Sequence, residues 1–121
     1  MKLEQQVCSL YLAKRLKELG VKQESYAVWN TRHLWVVPAE AVSRSYIPDC
    51  ISAFTVAELG EMLPSYFFTQ RDGSGEFDCI PAPTFADAAV PLIYGKTEAD
   101  ARAKMLIYLL ENRLIDHATL H

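Results

Sequence analysis

The stretch Lys96 to Leu114, KTEADARAKMLIYLLENRL, follows almost every local rule for a helix. Thr97 can cap the amino end, because its hydroxyl can accept a hydrogen bond from an amide of the first turn. Glu98 and Asp100 then place negative charge in that turn, where the helix dipole favours it. The stretch therefore predicts a helix with a defined start.

Charge pairs and an apolar stripe continue the pattern. Glu98 with Arg102, and Asp100 with Lys104, stand four residues apart in the favourable acid-first order. The apolar positions at helical spacing are Ala99, Ala103, Leu106, Ile107, Leu110 and Leu114. Because the stretch holds no nucleophile, metal-ligand pair or phosphate-binding glycine loop, it predicts a docked structural helix.

Composition indicates a single soluble domain over residues 1–121. Half of the 121 residues are hydrophobic and 22% are charged, which is typical of a chain that buries its own core. No run approaches the roughly 20 apolar residues that span a bilayer, and no signal peptide is recognisable, so we expect no membrane association and a cytoplasmic location. The net charge of −3, with acids and bases dispersed, disfavours nucleic acid as a partner.

The three cysteines are Cys8, Cys50 and Cys79, an odd number without a CxxC pair. We expect them to be reduced, with Cys8 and Cys79 buried as small hydrophobes. The sequence predicts no metal site and no cofactor.

The first element reads as one amphipathic helix from Met1 to Leu19, because apolar residues recur there every three or four positions. Gly20 is placed to end it in the left-handed conformation. Val21 can then fold back on Leu16, the contact that accompanies a Schellman cap.

Two short runs rich in Tyr, Trp and Val, Ser25 to Asn30 and His33 to Val37, predict a β-hairpin. Trp29 and Trp35 fall within it. Each tryptophan can serve the core or an exposed aromatic surface, and the sequence leaves both open.

The segment Pro38 to Phe54 has no clear period and predicts a loop or a short strand, long enough for function to reside there. Thr55 and Glu58 then match a capping box, which predicts a short helix to about Leu63. Gly60 inside this helix suggests close packing of the helix on a sheet.

A second hairpin is predicted from Ser65 to Gln70 and Glu76 to Ile80, joined by the turn Arg71 to Gly75. The turn lacks the lysine and the following helix of a phosphate loop. Leu92 to Tyr94 predicts an edge strand. The element order favours an α+β fold in which one antiparallel sheet of about four to five strands has two long helices and one short helix packed on one face.

Three helical blocks carry a resemblance to a known group of proteins. They are LEQQVCSLYLAKRLKELGVKQES, SAFTVAELGEMLP and TEADARAKMLIYLLENRLI, which start at Leu3, Ser52 and Thr97. Together they resemble a family of small uncharacterised proteins of phages, prophages and bacterial genomes. The resemblance implies a mobile-element context and supplies no activity or catalytic residue.

The main functional prediction is a non-enzymatic accessory protein of the phage or prophage type that acts by protein-protein interaction, with a protein partner or by self-association. Aromatic side chains outside the helical stripes are the candidate anchors, since aromatics concentrate binding energy at interfaces. These six are Tyr26, Trp29, Trp35, Tyr46, Tyr66 and Phe68.

Two alternatives stay open. One is a small enzyme with a site assembled in space. Its candidate acids and bases are His33, Asp49, Asp72, Asp78 and His117. The other is nucleic-acid or small-ligand binding through an aromatic sheet face, which normally requires a basic groove. His117 and His121 stand four apart but have no third ligand nearby, so no metal is assigned to them.

Overall fold

The structure is a computed structural model that describes residues 2–37, 50–65, 67–81 and 90–115. These residues form four helices and six strands with the following bounds. In chain order they are α1 (Leu3–Gln6), α2 (Leu10–Glu18), β1 (Ala27–Asn30), β2 (His33–Val36), β3 (Cys50–Ala53), α3 (Val56–Met62), β4 (Phe67–Arg71), β5 (Phe77–Pro81), β6 (Ile93–Gly95) and α4 (Glu98–Glu111). None of these helices is long and apolar enough to cross a membrane.

The α+β class is confirmed, but the single sheet is wrong. The strands form two three-stranded antiparallel sheets, ordered β2-β1-β3 and β4-β5-β6. Helices α2 and α4 supply most of the buried cluster, and side chains of both sheets pack against it. The outer edge of β3 is occupied by polar groups from the amino-terminal part of the chain, so the second hairpin cannot extend the first sheet there.

Helix α4 confirms the prediction for its own stretch. Thr97 Oγ1 accepts a hydrogen bond from the Asp100 amide at 3.1 Å, and Arg102 pairs with Glu98 at 3.3 Å. The helix is buried on more sides than a single stripe requires, because it contacts α2, α3 and all three strands of the second sheet. Leu114, expected on the stripe, lies beyond the end of the helix and is exposed.

The expected pair of Asp100 with Lys104 does not form in the part of the chain that the structure describes. The Asp100 carboxylate accepts from the Ser9 amide at 2.8 Å, and Lys104 donates to the Tyr94 carbonyl at 3.3 Å. Both residues of α4 therefore bind other segments of the fold.

The continuous helix expected from Met1 to Leu19 is wrong. Val7 is extended and forms an antiparallel bridge with Thr55, and the Cys8 amide donates to the Phe54 carbonyl at 2.9 Å. Ser9 follows and begins α2. These partners lie far along the chain, so their hydrogen bonds interrupt a segment whose local periodicity is helical throughout.

The predicted helix ends are confirmed. Gly20 has φ 90°, its amide donates to the Lys17 carbonyl at 3.0 Å, and the Val21 amide donates to the Leu16 carbonyl at 3.1 Å, which together make a Schellman cap. The capping box of α3 also forms as predicted.

Gly60 is needed for close packing, but the neighbour differs from the prediction. A Cβ atom at this position would collide with the Arg102 guanidinium of α4, not with a sheet. Arg102 also donates to the Val56 carbonyl at 2.9 Å, so it ties α3 to α4. The glycine leaves room for this side chain.

Both hairpins and the edge strand are confirmed within a residue or two. Thr31 and Arg32 form the first turn, and Thr31 takes φ 55°. In the second turn Asp72 accepts hydrogen bonds from the hydroxyl and amide of Ser74 and from the Glu76 amide. These bonds, above all that from the Ser74 hydroxyl, lower the pKa of the Asp72 carboxyl.

Candidate functional site

The two tryptophans of the first hairpin lie on opposite faces of the first sheet. Trp29 is half-buried, packs against the core, and donates from Nε1 to the Cys8 carbonyl at 3.0 Å. Leu34, its cross-strand partner, packs against a small buried cluster on the same side. Trp29 therefore serves the core with most of its contacts, and its role as a binding anchor stays a prediction.

Trp35 is exposed on the other face. It stands opposite Val28, and side chains alternate along a strand, so Tyr26 and Trp35 share a face as diagonal neighbours. Their exposed fractions are 57% for Tyr26 and 58% for Trp35. The hydrogen bond from the Val37 amide to the Tyr26 carbonyl, 2.8 Å long, continues the ladder past the end of β2 and holds Tyr26 in register. The structure thus brings two of the six candidates together.

The other four candidates do not join them. Phe68 is 38% exposed but belongs to β4 in the second sheet. Tyr46 and Tyr66 lie outside the described residues. The candidate surface is accordingly one edge of the first sheet instead of a general aromatic face.

One edge of the first sheet, that of β3, is closed by the chain itself. The Ser52 amide donates to Gln23 Oε1 at 2.8 Å, and Lys17 Nζ donates to the Cys50 carbonyl at 3.4 Å. Just beyond the strand, the Phe54 carbonyl accepts from the Cys8 amide. Two outward backbone groups of β3, the Ser52 amide and the Cys50 carbonyl, therefore already have partners.

The opposite edge, that of β2, is open in the described structure. In an antiparallel ladder, hydrogen-bonded pairs alternate with pairs that are not hydrogen-bonded. Because Val37 and Tyr26 are a hydrogen-bonded pair, every second residue of β2 counted back from Val37 also bonds to β1. Trp35 and His33 therefore bond to β1, whereas the backbone groups of Leu34 and Val36 point outward. No described residue bonds to these outward groups, so the edge can accept another strand.

The titratable candidates among the described residues, His33, Asp72 and Asp78, lie on three different elements. His33 is exposed on β2, Asp72 is engaged in its turn, and Asp78 is buried on the central strand of the second sheet. Asp49, His117 and His121 lie outside the described residues. Among those described, no group of three His, Cys, Asp or Glu side chains is placed to hold a metal ion.

The thiols confirm their expected burial. Cys8 and Cys79 are fully buried, and desolvation raises the pKa of each to about 12. Neither is a ready nucleophile, since thiolate is the reactive form. Cys50 is half-buried at the closed edge.

A cleft of about 310 Å³ lies near the amino end of α4. Arg71, Lys96 and Glu98 bring charge to its wall. The Arg71 guanidinium carbon lies over the Phe77 ring, 5.3 Å from the ring centre. The Glu98 carboxylate is already engaged by Arg102 and by the Thr69 hydroxyl. The cleft brings together cations and an aromatic ring, with no cysteine, histidine or serine among the described residues that line it.

The sequence identified the aromatic residues but missed the open backbone edge beside them. The available signal was the absence of proline and of lysine in HLWV, the four residues of β2, since edge strands are often blunted by such residues.

No protein-family model, curated protein or solved structure matches the chain.

Proposed function

We propose that this protein binds another protein by taking up an extended segment of it as a fourth strand beside β2. The observation that carries the proposal is the pair of unbonded backbone positions, Leu34 and Val36, next to two exposed aromatic rings. Strand addition supplies affinity through main-chain hydrogen bonds and specificity through alternate side chains.

The chemistry around β2 defines the segment that fits. Tyr26 and Trp35 offer aromatic surface on one face of the sheet, so the partner strand carries apolar residues on that face. Arg32 is exposed at the turn end, and no described residue pairs with it. An acidic residue at the matching end of the segment would complement this charge.

The edge of β4 is a less suitable acceptor. Its sequence FFTQR includes a charged residue, Arg71, and a charge on an edge strand disfavours pairing with another chain. The Phe67 amide at its start also donates to the Pro64 carbonyl at 3.0 Å. The first sheet therefore carries the proposal.

The setting we propose is that of an accessory protein of a phage or prophage. Its support is the resemblance carried by the three helical blocks. In that setting the helices are scaffold, and the open strand edge is the part that contacts a host or phage protein.

Selection from a displayed library of random twelve-residue peptides tests the binding mode. We expect the enriched peptides to alternate apolar and polar residues and to carry an acidic residue near one end. Their affinity should be lost in Val36→Pro, because proline removes the outward amide of Val36 without removing a hairpin hydrogen bond. Val36→Thr is the matched control, since it keeps both the amide and the branched shape.

Circular dichroism of each variant distinguishes a loss of peptide binding from a loss of folding. Loss of binding in a folded Val36→Pro variant, with retention in Val36→Thr, supports strand addition. Equal binding by both variants, or no enriched peptide, overturns it. A wild-type dimer that Val36→Pro converts to a monomer would assign the edge to a second copy of this chain and would contradict a foreign partner.

A further inference from the structure

A polar row crosses the face of the second sheet that is turned away from the core. Phe77 and Cys79 point inward to the buried cluster, so their neighbour Asp78 points outward. Gln70 stands opposite Asp78 on β4, and Tyr94 stands opposite it on β6. The three side chains therefore form one line across the strands.

Asp78 is buried in this row without a partner. Its exposed fraction is 8%, and no hydrogen bond or ion pair to it exists within the described chain. Its carboxylate oxygens are not among the fully buried side-chain atoms that lack a hydrogen-bond partner, so they reach the surface of this row and are free to accept hydrogen bonds. The flanking Gln70 and Tyr94 are exposed, so the surroundings of Asp78 are open to a group from outside.

The neighbours of Asp78 favour a planar cation. Tyr94 is 57% exposed and pairs directly with Asp78, and Phe68 lies on the same face one pair along. Aromatic faces attract cations, and a guanidinium also stacks on them. It can donate two parallel hydrogen bonds to one carboxylate, which an ammonium group cannot match. The Gln70 side-chain carbonyl offers a further acceptor.

We infer that the outer face of the second sheet is a binding site for a guanidinium group, presented as an arginine side chain by a partner polypeptide. Asp78 accepts two hydrogen bonds from the guanidinium, and Tyr94 packs against its plane. This site lies in a different sheet from the β2 edge, and its occupation does not require strand addition there.

The test uses the tripeptide Ac-Gly-Arg-Gly-NH2 as the probe, with Ac-Gly-Lys-Gly-NH2 as its comparison, and follows amide shifts of the labelled protein by NMR. We expect saturable shifts at Asp78 and Tyr94 with the arginine probe and several-fold weaker binding of the lysine probe. Asp78→Asn should weaken the arginine probe at least about tenfold, the loss typical of a hydrogen bond to a charged group. Glu61→Gln removes one exposed carboxylate from α3 and should leave binding unchanged.

Thermal unfolding gives a second readout. If Asp78 is kept for a ligand, Asp78→Asn should unfold at about the same temperature as wild type or higher, because the Asp78 carboxylate makes no hydrogen bond or ion pair within the described chain that the variant would lose. The inference is overturned if the arginine probe does not saturate, if Asp78→Asn binds it equally well, or if that variant unfolds at a clearly lower temperature. Val36→Pro should retain the response to the arginine probe, because Val36 lies in the other sheet. A failure of the β2 proposal would therefore not affect the interpretation of this test.

Discussion

The two edges of the first sheet are built from strands of equal length, yet they differ in how the chain treats them. Along β3, Gln23 accepts from the Ser52 amide and Lys17 donates to the Cys50 carbonyl. Just beyond the strand, the Cys8 amide donates to the Phe54 carbonyl. Along β2, the outward groups of Leu34 and Val36 have no partner in the described structure. Large apolar side chains also remain exposed on β2. The comparison supports the proposal that the β3 edge serves stability and that the β2 edge accepts a partner strand.

The largest expected difference in the free energy of unfolding is between alanine variants of the two tryptophans, Trp29 against the core and Trp35 at the open edge. Trp29→Ala should lower the free energy of unfolding by about 3 kcal/mol, since it removes a large packed ring and its bond to the Cys8 carbonyl. Trp35→Ala should change it by less than about 0.5 kcal/mol, the usual range for an exposed position. Urea denaturation measures both.

Peptide binding should respond in the opposite way. Trp35→Ala should abolish binding of the selected peptides while the protein stays folded. Trp29→Phe keeps a core aromatic and should bind them normally. A large stability loss in Trp35→Ala would mean that this ring serves the core, and the comparison would fail.

Gln23→Ala should open the closed edge. The Ser52 amide would lose its acceptor in a position where Ser52 is only 1% exposed, which should cost about 2 kcal/mol of stability. Gln23→Glu keeps an oxygen at the acceptor position but loses the amide that donates to the Val21 carbonyl at 3.0 Å, so it should lose an intermediate amount of stability. A loss below about 0.5 kcal/mol in Gln23→Ala, measured by urea denaturation, would show that the hydrogen bond is not what closes β3.

The smallest expected change in stability comes from a substitution in the turn that leads into β2. Thr31 is β-branched and adopts φ 55°, a conformation that favours glycine. Thr31→Gly should therefore stabilise the protein by about 0.5 kcal/mol, as a net of relieved strain and added chain entropy. Thr31→Ala keeps a Cβ atom and should not show the gain in a thermal melt. A loss in Thr31→Gly would indicate that the threonine side chain itself supports the hairpin.

The features that sequence predicted well depend on neighbours within a few residues. The Gly20 cap, the Thr55 and Glu58 box, both hairpins and the core of α4 all fall in this class. Each is determined by turn chemistry or by a short-range period, which can be read along the chain. This is why α3, α4 and both hairpins could be placed to within a few residues.

The features that sequence missed depend on partners far away. The break in the first helix requires Phe54, Thr55 and Asp100, and the last of these is 91 residues from Ser9. The division into two sheets depends on which strand edges are occupied, and Gln23 closes β3 from 29 residues away. The residues HLWV could suggest that β2 lacks the residues that blunt an edge, but the sequence could not show that no distant segment of the described structure bonds to it.

Amide hydrogen exchange, followed residue by residue by NMR, tests the contrast between the edges most directly. In the free protein, the Leu34 and Val36 amides should exchange at least about 100-fold faster than the Ser52 amide, which is bonded to Gln23. Saturation with a selected peptide should slow Leu34 and Val36 and leave Ser52 unchanged. Slow exchange at Leu34 and Val36 before any peptide is added, or no slowing after saturation, would contradict an open edge that accepts a partner strand.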